Sequence, residues 1–480
     1  MRILRGSTAV VLAYLIAFGC MVSFFAAQNV SAKVPVINVN GIATKTLYLN
    51  PGTEGERQLF YPANEDLKKA LLGLALPAAR LLIDKNWDAF GDRFIQTALN
   101  IFEPLACNAD GTSKYNVAIK EDWSLPEGYN FDRTLTFYYD WRLDPVEIAG
   151  RLREYIQYLK TQTDCEKVDL IPNSMGCNIV AAYLKVFGAA DVRSVVMRSA
   201  AFQGVSLVGE LFNENVDVGK DAAVGYLGAF LKDDITGRAI SVMLSVFDAA
   251  GVLDTVVKGA NGFVAKLKDR VYDEVLKGTF GMMPGIWALV PDEYYETAKD
   301  IMLDETAHGE LIRKIDFYHY EVQSQIGAIL KAGLQNGLRT AIIANYGLHG
   351  VPLTPNSGVQ TDYLIDTKYA SLGAVCANLN ETLGNGYEQA VVCGHNHLSP
   401  DRVIDASTCV LPEYTWFVKY MIHTKYCDDY RNLVSWILNA ESQPDVFTEP
   451  AYPQFMQLNK TKNTLEPVTA GLTDAARVIW

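Results

Sequence analysis

The sequence predicts an α/β fold built on a mostly parallel sheet with helices on both faces. From residue 34 to residue 200, short apolar stretches with strand character alternate with longer stretches of helical periodicity. Strands that alternate with helices in this way form parallel sheets whose two faces are both covered. With 480 residues, 49% of them hydrophobic, the chain is also long enough to bury a large core.

The first strands and the first helix carry clear local signals. Residues 34–42 alternate apolar and polar side chains and end in an Asn-Gly turn, as an early strand does. A second strand begins at Arg133 and leads into a helix. The start of that helix is marked by Asp144 as N-cap, Pro145 at the first helical position and Glu147 at the capping-box position.

A serine stands between the next strand and the next helix. The stretch "VDLIPNSMGCNIVAAYL", residues 168–184, runs from an apolar strand through a tight turn into a helix that Gly188 can end. In the Gly-x-Ser-x-Gly motif such a turn exposes the serine hydroxyl, and the helix N-terminus points at the same place. Ser174 and Gly176 match the motif, whereas Pro172 occupies its first glycine position. An ordinary strand–helix connection has a similar composition, so this pentapeptide does not decide the matter alone.

The alternation stops near residue 201. Residues 201–337 are mostly helical and include an aromatic stretch, "GMMPGIWALVPDEYYE", at 281–296, and strand character returns at 338–347, 388–394 and 414–421. A helical insertion into an α/β sheet is where hydrolases commonly carry a cap; a packing subdomain without substrate contact is the alternative. The chain is therefore divided into a core segment at 33–200, a helical cap or substrate-binding insertion at 201–337, a second core segment at 338–440 and an extension without an assigned role at 441–480.

The N-terminal segment, 1–32, has the features of an export signal. Arg2 and Arg5 precede an uncharged stretch at 9–27, and Val30-Ser31-Ala32 forms a small-residue cleavage site before Lys33. The sequence therefore predicts a cleaved signal peptide and a secreted or extracytoplasmic protein. Because the apolar stretch is long, an uncleaved N-terminal anchor is the alternative.

Charge and cysteine usage exclude several classes of protein. A net charge of −13 argues against a nucleic-acid partner, because phosphate binding needs clustered Lys and Arg. Seven cysteines follow the signal segment, and none forms a Cys-x-x-Cys pair, which argues against zinc-finger and thioredoxin chemistry. Their odd number leaves at least one thiol free or paired between chains. We expect no cofactor.

One loop raises the possibility of a metal. In "GHNHLSPD", residues 394–401, His395 and His397 lie near Asp401 and Asp405, and imidazoles with carboxylates ligate metals. His-x-His alone is a weak signal, so we favour hydrogen bonds within a loop beside the active site and assign no metal.

Four segments together resemble one family. They are "YYDWRLDP" (138–145), "SMGCNIVAAYL" (174–184), "MPGIWALVPDEYY" (283–295) and "DASTCVLPEYTWFVKYMIH" (405–423). These segments resemble the lecithin:cholesterol acyltransferase-like group of α/β-hydrolases, and the resemblance covers about residues 34–423. It implies the α/β-hydrolase fold and a serine hydrolase or acyltransferase acting on acyl esters, often those of lipids.

A serine hydrolase needs a histidine base, and α/β-hydrolases place it after the nucleophile and the acid along the chain. His423 follows the last convincing strand, at 414–421, where the base of this fold belongs, and we predict it as the base. All six histidines follow Ser174 and form the candidate set: His308, His319, His349, His395, His397 and His423.

Three aspartates are candidates for the acid. Asp362 lies in "TDYLID", beyond the strand that ends at Gly347, and Asp401 and Asp405 lie in a second copy of the pattern, "SPDRVID". The short interval between Asp401 and His423 leaves little room for the helix normally found between acid and base, whereas the interval that begins at Asp362 is much longer. We predict Asp362 and keep the other two as alternatives.

Two backbone donors and one aromatic residue complete the predicted site. The N–H of Met175, at the helix start, and the N–H of Ile42, after the Asn-Gly turn, are the predicted oxyanion hole. Trp287 in the insertion is predicted to bind substrate, and its apolar surroundings suit an acyl chain or a lipid surface. The alternative, prompted by Pro172, is a non-catalytic binding module on the same fold.

Overall fold

An eight-stranded sheet lies at the centre of the fold. The computed structural model describes residues 33–42, 47–59, 87–217, 269–351, 354–423 and 425–470. The strands are β1 Val36–Val39, β2 Leu47–Leu49, β3 Arg57–Gln58, β4 Val117–Ile119, β5 Leu135–Phe137, β6 Val168–Leu170, β7 Val192–Arg198, β8 Arg339–Tyr346, β9 Val375–Cys376, β10 Ile404–Asp405, β11 Thr415–Lys419, β12 Phe455–Asn459 and β13 Thr464–Pro467. The order in the main sheet is β5-β1-β6-β7-β8-β11-β12-β13. Within the described residues every neighbouring pair of strands in this sheet is parallel except β12 and β13.

Helices connect the strands and fill the insertion. The strands outside the main sheet form an antiparallel set, β3-β2-β4, and an antiparallel pair, β10-β9. The α-helices are α1 Trp87–Phe102, α2 Pro145–Thr163, α3 Gly176–Phe187, α4 Ser206–Phe212, α5 Pro284–Trp287, α6 Asp292–Met302, α7 Gly309–Asp316, α8 Ile326–Gln335, α9 Thr367–Ala370 and α10 Asp428–Asn439. Two π-helical turns, Val271–Lys277 and Phe317–Gln323, and five 3₁₀ turns, Glu103–Leu105, Phe280–Met282, Pro355–Gly358, Ala406–Thr408 and Pro412–Tyr414, complete the regular structure of the described ranges.

Alternate residues of the central strands face two separate hydrophobic cores. In β8, Ile342 belongs to one core and Ile343 to the other. Helices α2, α3 and α8 bury residues such as Leu152 in the first core, and α10 buries residues such as Leu433 in the second. The predicted α/β class, with a mostly parallel sheet and helices on both faces, is therefore confirmed.

The helix start predicted after the second strand is confirmed. The Asp144 side chain caps α2 by accepting a hydrogen bond from Val146 N at 2.9 Å, and Pro145 is the first helical residue. Glu147 does not complete a capping box in this way; it pairs with Lys314 Nζ at 3.1 Å. That ion pair joins the start of α2 to α7 of the insertion.

The structure departs from the sequence prediction in two places. The strand predicted at 388–394 is wrong, because the N–H groups of Ala390 and Val391 bond to side chains, Asp405 Oδ2 and Ser407 Oγ, instead of a neighbouring strand. The apolar run that suggested a strand lies on the surface, where Val392 is 92% exposed. Beyond residue 440, the boundary set for the second core segment, β12 pairs with β11 and extends the main sheet.

Several predictions fall outside the described residues. They include the signal peptide at 1–32 and residues 218–268 of the insertion. In the described parts of the insertion, 201–217 and 269–337, the regular elements are helices. Within the described residues, no helix combines the length and the hydrophobicity that a membrane span requires.

Candidate active site

Ser174 lies where the order of the strands reverses. The chain runs from β1 to its neighbour β5, then crosses back to β6 on the other side of β1 and continues towards β7. Loops that leave the carboxyl ends of strands at such a reversal diverge and form a crevice, the usual place for a ligand in an open parallel sheet. The turn after β1 contains Gly41, and the turn after β6 contains Ser174.

These two turns touch. A Cβ added to Gly41 would lie 2.8 Å from the Ser174 Cβ and 3.2 Å from its Oγ. Glycine is therefore required at position 41 for the backbone of the first turn to approach the serine. The Tyr139 hydroxyl supports the same turn by donating to the carbonyl of Asn40 at 2.6 Å.

Ser174 has the backbone conformation of a tight elbow. Its φ is +56°, in the left-handed region that side chains other than glycine seldom adopt, and only 4% of the residue is exposed. The conformation is held from both sides, because Ser174 N donates to Arg198 O at 3.0 Å and Cys177 N donates to Ser174 O at 3.0 Å. Strained residues of this kind persist where the surrounding structure fixes them, and they concentrate at functional sites.

Gly176 and Pro172, two positions after and before Ser174, differ in how much their surroundings restrict the side chain. A Cβ on Gly176 would lie 2.0 Å from the carbonyl oxygen of Val39, so the start of α3 can approach β1 only with glycine there. Pro172 meets no such constraint: its carbonyl accepts a hydrogen bond from Arg198 N at 3.1 Å, and its φ is negative. The elbow therefore forms without the first glycine of the motif.

Asp362 and His423 form a hydrogen-bonded pair. The His423 Nδ1 lies 2.8 Å from the Asp362 Oδ2, and the His423 backbone N–H also donates to the Asp362 carbonyl at 3.0 Å. The other carboxylate oxygen accepts hydrogen bonds from the backbone N–H groups of Leu364 at 3.1 Å and Ile365 at 2.8 Å. With 2% of the Asp362 side chain and 11% of the His423 side chain exposed, the pair is shielded from water on most sides.

The other two candidate acids have different partners. Asp401 Oδ2 forms a buried ion pair with Lys419 Nζ at 2.7 Å and accepts a hydrogen bond from the Tyr346 hydroxyl at 3.2 Å. Asp405 accepts a hydrogen bond from Ser407 N at 3.0 Å at the start of a 3₁₀ turn, and another from the Tyr387 hydroxyl at 2.9 Å. Of the three aspartates, Asp362 is therefore the one whose carboxylate contacts His423.

Three other candidate histidines, His308, His319 and His397, have partners outside the Ser174 elbow. His308 Nδ1 accepts a hydrogen bond from the N–H of Asp304 at 2.8 Å, and buried His319 stacks on Tyr295. His397 is buried and lies 2.8 Å from Gln454 Oε1, whereas His395 is largely exposed. Among the residues that the structure describes, no group of three or more His, Cys, Asp or Glu side chains is arranged to hold a metal ion.

Backbone N–H groups are available near Ser174. Met175 is the N-cap residue of α3, so its N–H has no partner within the helix, and the part of the chain that the structure describes offers it no other acceptor. Ile42 directly follows Gly41 in the turn that touches the serine. Both predicted donors thus belong to the two turns that meet at Ser174.

The aromatic segment of the insertion packs directly on the elbow. A Cβ on Gly285 would lie 1.9 Å from the carbonyl oxygen of Trp141 and 2.9 Å from the Met175 Cε. Trp287 itself is 1% exposed, and its indole N–H donates to Gly281 O at 2.8 Å, so the indole is part of the core. Its role in substrate binding stays a prediction.

Sequence reasoning missed two polar residues that tie loops together at the site. Asn178, on α3, donates to the carbonyl of Ala288 in the insertion at 2.8 Å. Asp366, at the end of the "TDYLID" segment, accepts hydrogen bonds from both the N–H and the hydroxyl of Ser206 at the start of α4, at 2.8 and 2.7 Å. The signal in the sequence was, for Asn178, a polar residue in a mostly apolar stretch and, for Asp366, a second aspartate in the same short segment.

Cys177, three positions after Ser174, is not poised to react. Cys177 is a buried free thiol that contacts the Arg198 carbonyl at 3.8 Å, and burial raises its pKa to about 12. A thiol attacks as its thiolate, and so high a pKa keeps it protonated near neutral pH. At the elbow, the group suited to nucleophilic attack is therefore the Ser174 hydroxyl.

Comparisons with known proteins do not establish the function of this chain. No family model matches the chain, and no curated protein matches it by sequence. Among solved structures, the chain is similar to one titled "The crystal structure of Tle4-Tli4 complex", with 12% identity and a TM-score of 0.30, over 79% of this chain and 89% of that one. Similarity of this degree indicates neither a family nor an activity.

Proposed function

We propose that this chain is a serine hydrolase of the α/β-hydrolase fold that cleaves or transfers acyl esters, with Ser174, Asp362 and His423 as its triad. The observation that carries the proposal is the 2.8 Å contact between His423 Nδ1 and the buried Asp362 carboxylate, which joins loops 61 positions apart in the chain. The three residues also follow the order serine, acid, histidine that the fold requires.

Each residue of the proposed triad has a defined role in the reaction. Asp362 accepts a hydrogen bond from the protonated Nδ1 of His423, which leaves Nε2 as the base that takes the proton from the Ser174 hydroxyl as it attacks the ester carbonyl. The carboxylate then stabilises the imidazolium, which gives its proton to the leaving alcohol. Water or a second alcohol completes the cycle by the reverse steps, giving hydrolysis or acyl transfer.

Charge on the reacting carbonyl oxygen needs its own stabilisation. The N–H groups of Met175 and Ile42 are proposed as the oxyanion hole, because each belongs to a turn that meets at Ser174 and Met175 begins a helix whose dipole favours negative charge. Fixed donors of this kind require no reorganisation when the charge develops. The reaction requires no cofactor and no metal ion.

The substrate is proposed to be an acyl ester of a lipid, handled outside the cytoplasm or at a lipid surface. Support comes from the apolar segment around Gly285, which packs against Met175 beside the nucleophile, and from the export signal read in residues 1–32. Trp287 belongs to this segment and is proposed to influence which acyl chain is accepted.

Hydrolysis of p-nitrophenyl acyl esters by the purified protein tests the proposal. We expect Ser174→Ala to lower turnover by about 10³-fold or more while the folded state is retained. Ser435→Ala, which removes a hydroxyl from an exposed residue of α10, is the matched control and should retain full activity. Activity that survives Ser174→Ala would contradict the assignment, and inactivity of the folded wild-type protein towards every acyl chain would favour a non-catalytic binding module.

A further inference from the structure

A tyrosine joins the loop of His423 to the turn of Ser174. The Tyr426 hydroxyl lies 3.2 Å from the carbonyl oxygen of His423 and within hydrogen-bond distance of the Asn173 Oδ1. Asn173 is the residue immediately before the nucleophile. The hydroxyl therefore contacts both segments whose relative position decides whether base and nucleophile meet.

An arginine extends this connection to the turn after β1. The Arg198 guanidinium lies 5.5 Å from the centre of the Tyr426 ring, and its Nη2 donates to Asn38 Oδ1 at 2.6 Å. The Asn38 amide donates in turn to Asn40 Oδ1 at 2.5 Å, next to Gly41. One chain of polar contacts thus runs from the His423 loop, past the elbow, to the turn proposed to hold the oxyanion.

The surroundings of Tyr426 keep its hydroxyl protonated and its ring in place. Burial raises the pKa of Tyr426 to about 12, so the phenol keeps its proton near neutral pH. Its ring is fixed by stacking on Tyr430, with 4.5 Å between the ring centres. A fixed ring places the hydroxyl at a defined position between the Asn173 side chain and the His423 carbonyl.

We propose that Tyr426 is a positioning residue for the reaction, because its hydroxyl fixes the loop of His423 against the turn of Ser174. The inference rests on the proposed function. It is not a claim that Tyr426 touches substrate: the hydroxyl contacts Asn173 and the His423 carbonyl, and acts through them. Misplacing reacting groups by a fraction of an ångström to an ångström slows the chemical step much more than it weakens binding.

A neighbouring tyrosine provides a matched control. Tyr430 stacks on Tyr426 and is buried, whereas Tyr426 is partly buried, and the Tyr430 hydroxyl has no hydrogen-bond partner within the described residues. Tyr426→Phe and Tyr430→Phe each remove one phenolic oxygen from the same pair of rings. Only the first removes a link between the two loops, so a difference between the variants isolates that link.

The experiment measures kcat and KM on one p-nitrophenyl ester, below the melting temperature of every variant. We expect Tyr426→Phe to lower kcat by about tenfold or more at unchanged KM, and Tyr430→Phe to leave both constants unchanged. Asn173→Ala removes the other partner of the contact and serves as a second route if Tyr426→Phe is unstable. Combining the two substitutions should lower kcat no further than the stronger one alone.

Three outcomes would overturn the proposal, and each does so in a distinguishable way. If the wild-type serine reacts with a fluorophosphonate but Tyr426→Phe has the same kcat as Tyr430→Phe, the positioning role is wrong and the serine hydrolase stands. If the effects of Tyr426→Phe and Asn173→Ala multiply in the double variant, they act separately and the link is wrong. If the folded wild-type protein neither reacts nor turns over esters, both proposals fail together.

Discussion

Two stretches of this chain share the pattern Asp-x-x-Ile-Asp, at residues 362–366 and 401–405, and they fold alike. Both leading aspartates are 1% exposed. The residue after each has a positive φ, +79° at Tyr363 and +56° at Arg402. In each copy the leading carboxylate accepts a hydrogen bond from the backbone N–H two positions further on, at 3.1 and 3.3 Å. The same pattern thus produces the same local turn.

What separates the two copies is the side chain that each leading carboxylate meets. Asp362 meets the imidazole of His423, and Asp401 meets the ammonium of Lys419, which lies just upstream of that histidine in the chain. An imidazole can accept and release a proton in a reaction, whereas a buried carboxylate–ammonium contact acts as a structural cross-link. Local pattern alone therefore does not distinguish the proposed acid, Asp362, from Asp401; the side chain that each carboxylate contacts does.

The largest expected effect is on activity, and it distinguishes Asp362 from Asp401. Asp362→Asn should lower turnover by about 10⁴-fold, because an amide no longer fixes the tautomer of His423 or stabilises its charge. The melting temperature should change little, since the Asn oxygen can still accept hydrogen bonds from the backbone N–H groups. Steady-state kinetics on an acyl ester measures the loss. A fully active Asp362→Asn beside an inactive Asp401→Asn would exchange the roles of the two copies.

The second effect is on the free energy of unfolding, and it distinguishes the same two aspartates. Asp401→Asn leaves the Lys419 ammonium buried without its counter-charge, which should cost about 3–5 kcal/mol in the free energy of unfolding. Denaturant unfolding measures the cost. Adding Lys419→Met to Asp401→Asn should recover part of the loss, because it removes the unpaired charge while the amide oxygen still accepts the hydrogen bonds made to Asp401.

An exposed ion pair is the control for this measurement. Lys462 and Glu466 lie 3.0 Å apart on the surface, and Lys462→Met should cost less than about 1 kcal/mol. Equal losses for the exposed and buried pairs would show that the Asp401–Lys419 pair is not the cross-link described.

The smallest effect concerns the second aspartate of each copy and its response to pH. Burial raises the pKa of Asp366, so its contribution to stability is present below its ordinary pKa of about 4 and is lost as the pH rises through the raised value. At Asp405 burial acts in the same direction, but hydrogen bonds from Ser407, Ala390 and Tyr387 outweigh it and lower the pKa. Its contribution is present above pH about 4 and is lost as the pH falls.

Asn variants make the opposite pH dependences of the two stability contributions measurable. Relative to wild type, Asp366→Asn should gain stability as the pH rises above about 4, whereas the deficit of Asp405→Asn should shrink as the pH falls below about 4. Thermal melts across this range give both trends. Two variants that respond to pH in the same direction would contradict the difference between the copies.

The elbow and the helix ends were predictable because their signals are local. Ser174, Gly176 and the Asp144 cap each act on residues within a few positions, or against an adjacent strand, so the sequence around them contains the information. The same holds for Gly188, which ends α3 with a φ of +72°. A short sequence pattern predicts the structure correctly where the contacts that it encodes are short-range.

Other features depend on residues that are distant in the chain. The strand predicted at 388–394 failed because its apolar run lies on the surface and its N–H groups bond to side chains of the 405–407 turn. The strand β12 was missed because its role comes from pairing with β11. The contacts of Tyr426 with Asn173 and with the Arg198 guanidinium join the two halves of the chain, which no local pattern reports.

The most direct test of the account is to map the adduct that a fluorophosphonate forms with the folded protein. Trypsin releases residues 168–185 as one peptide, and Ser174 is the only serine within it. The account predicts a mass shift on this peptide alone, located at Ser174, abolished by Ser174→Ala and strongly slowed by Asp362→Asn. An unmodified 168–185 peptide after prolonged reaction of the folded protein, or an adduct on a different residue, would contradict it.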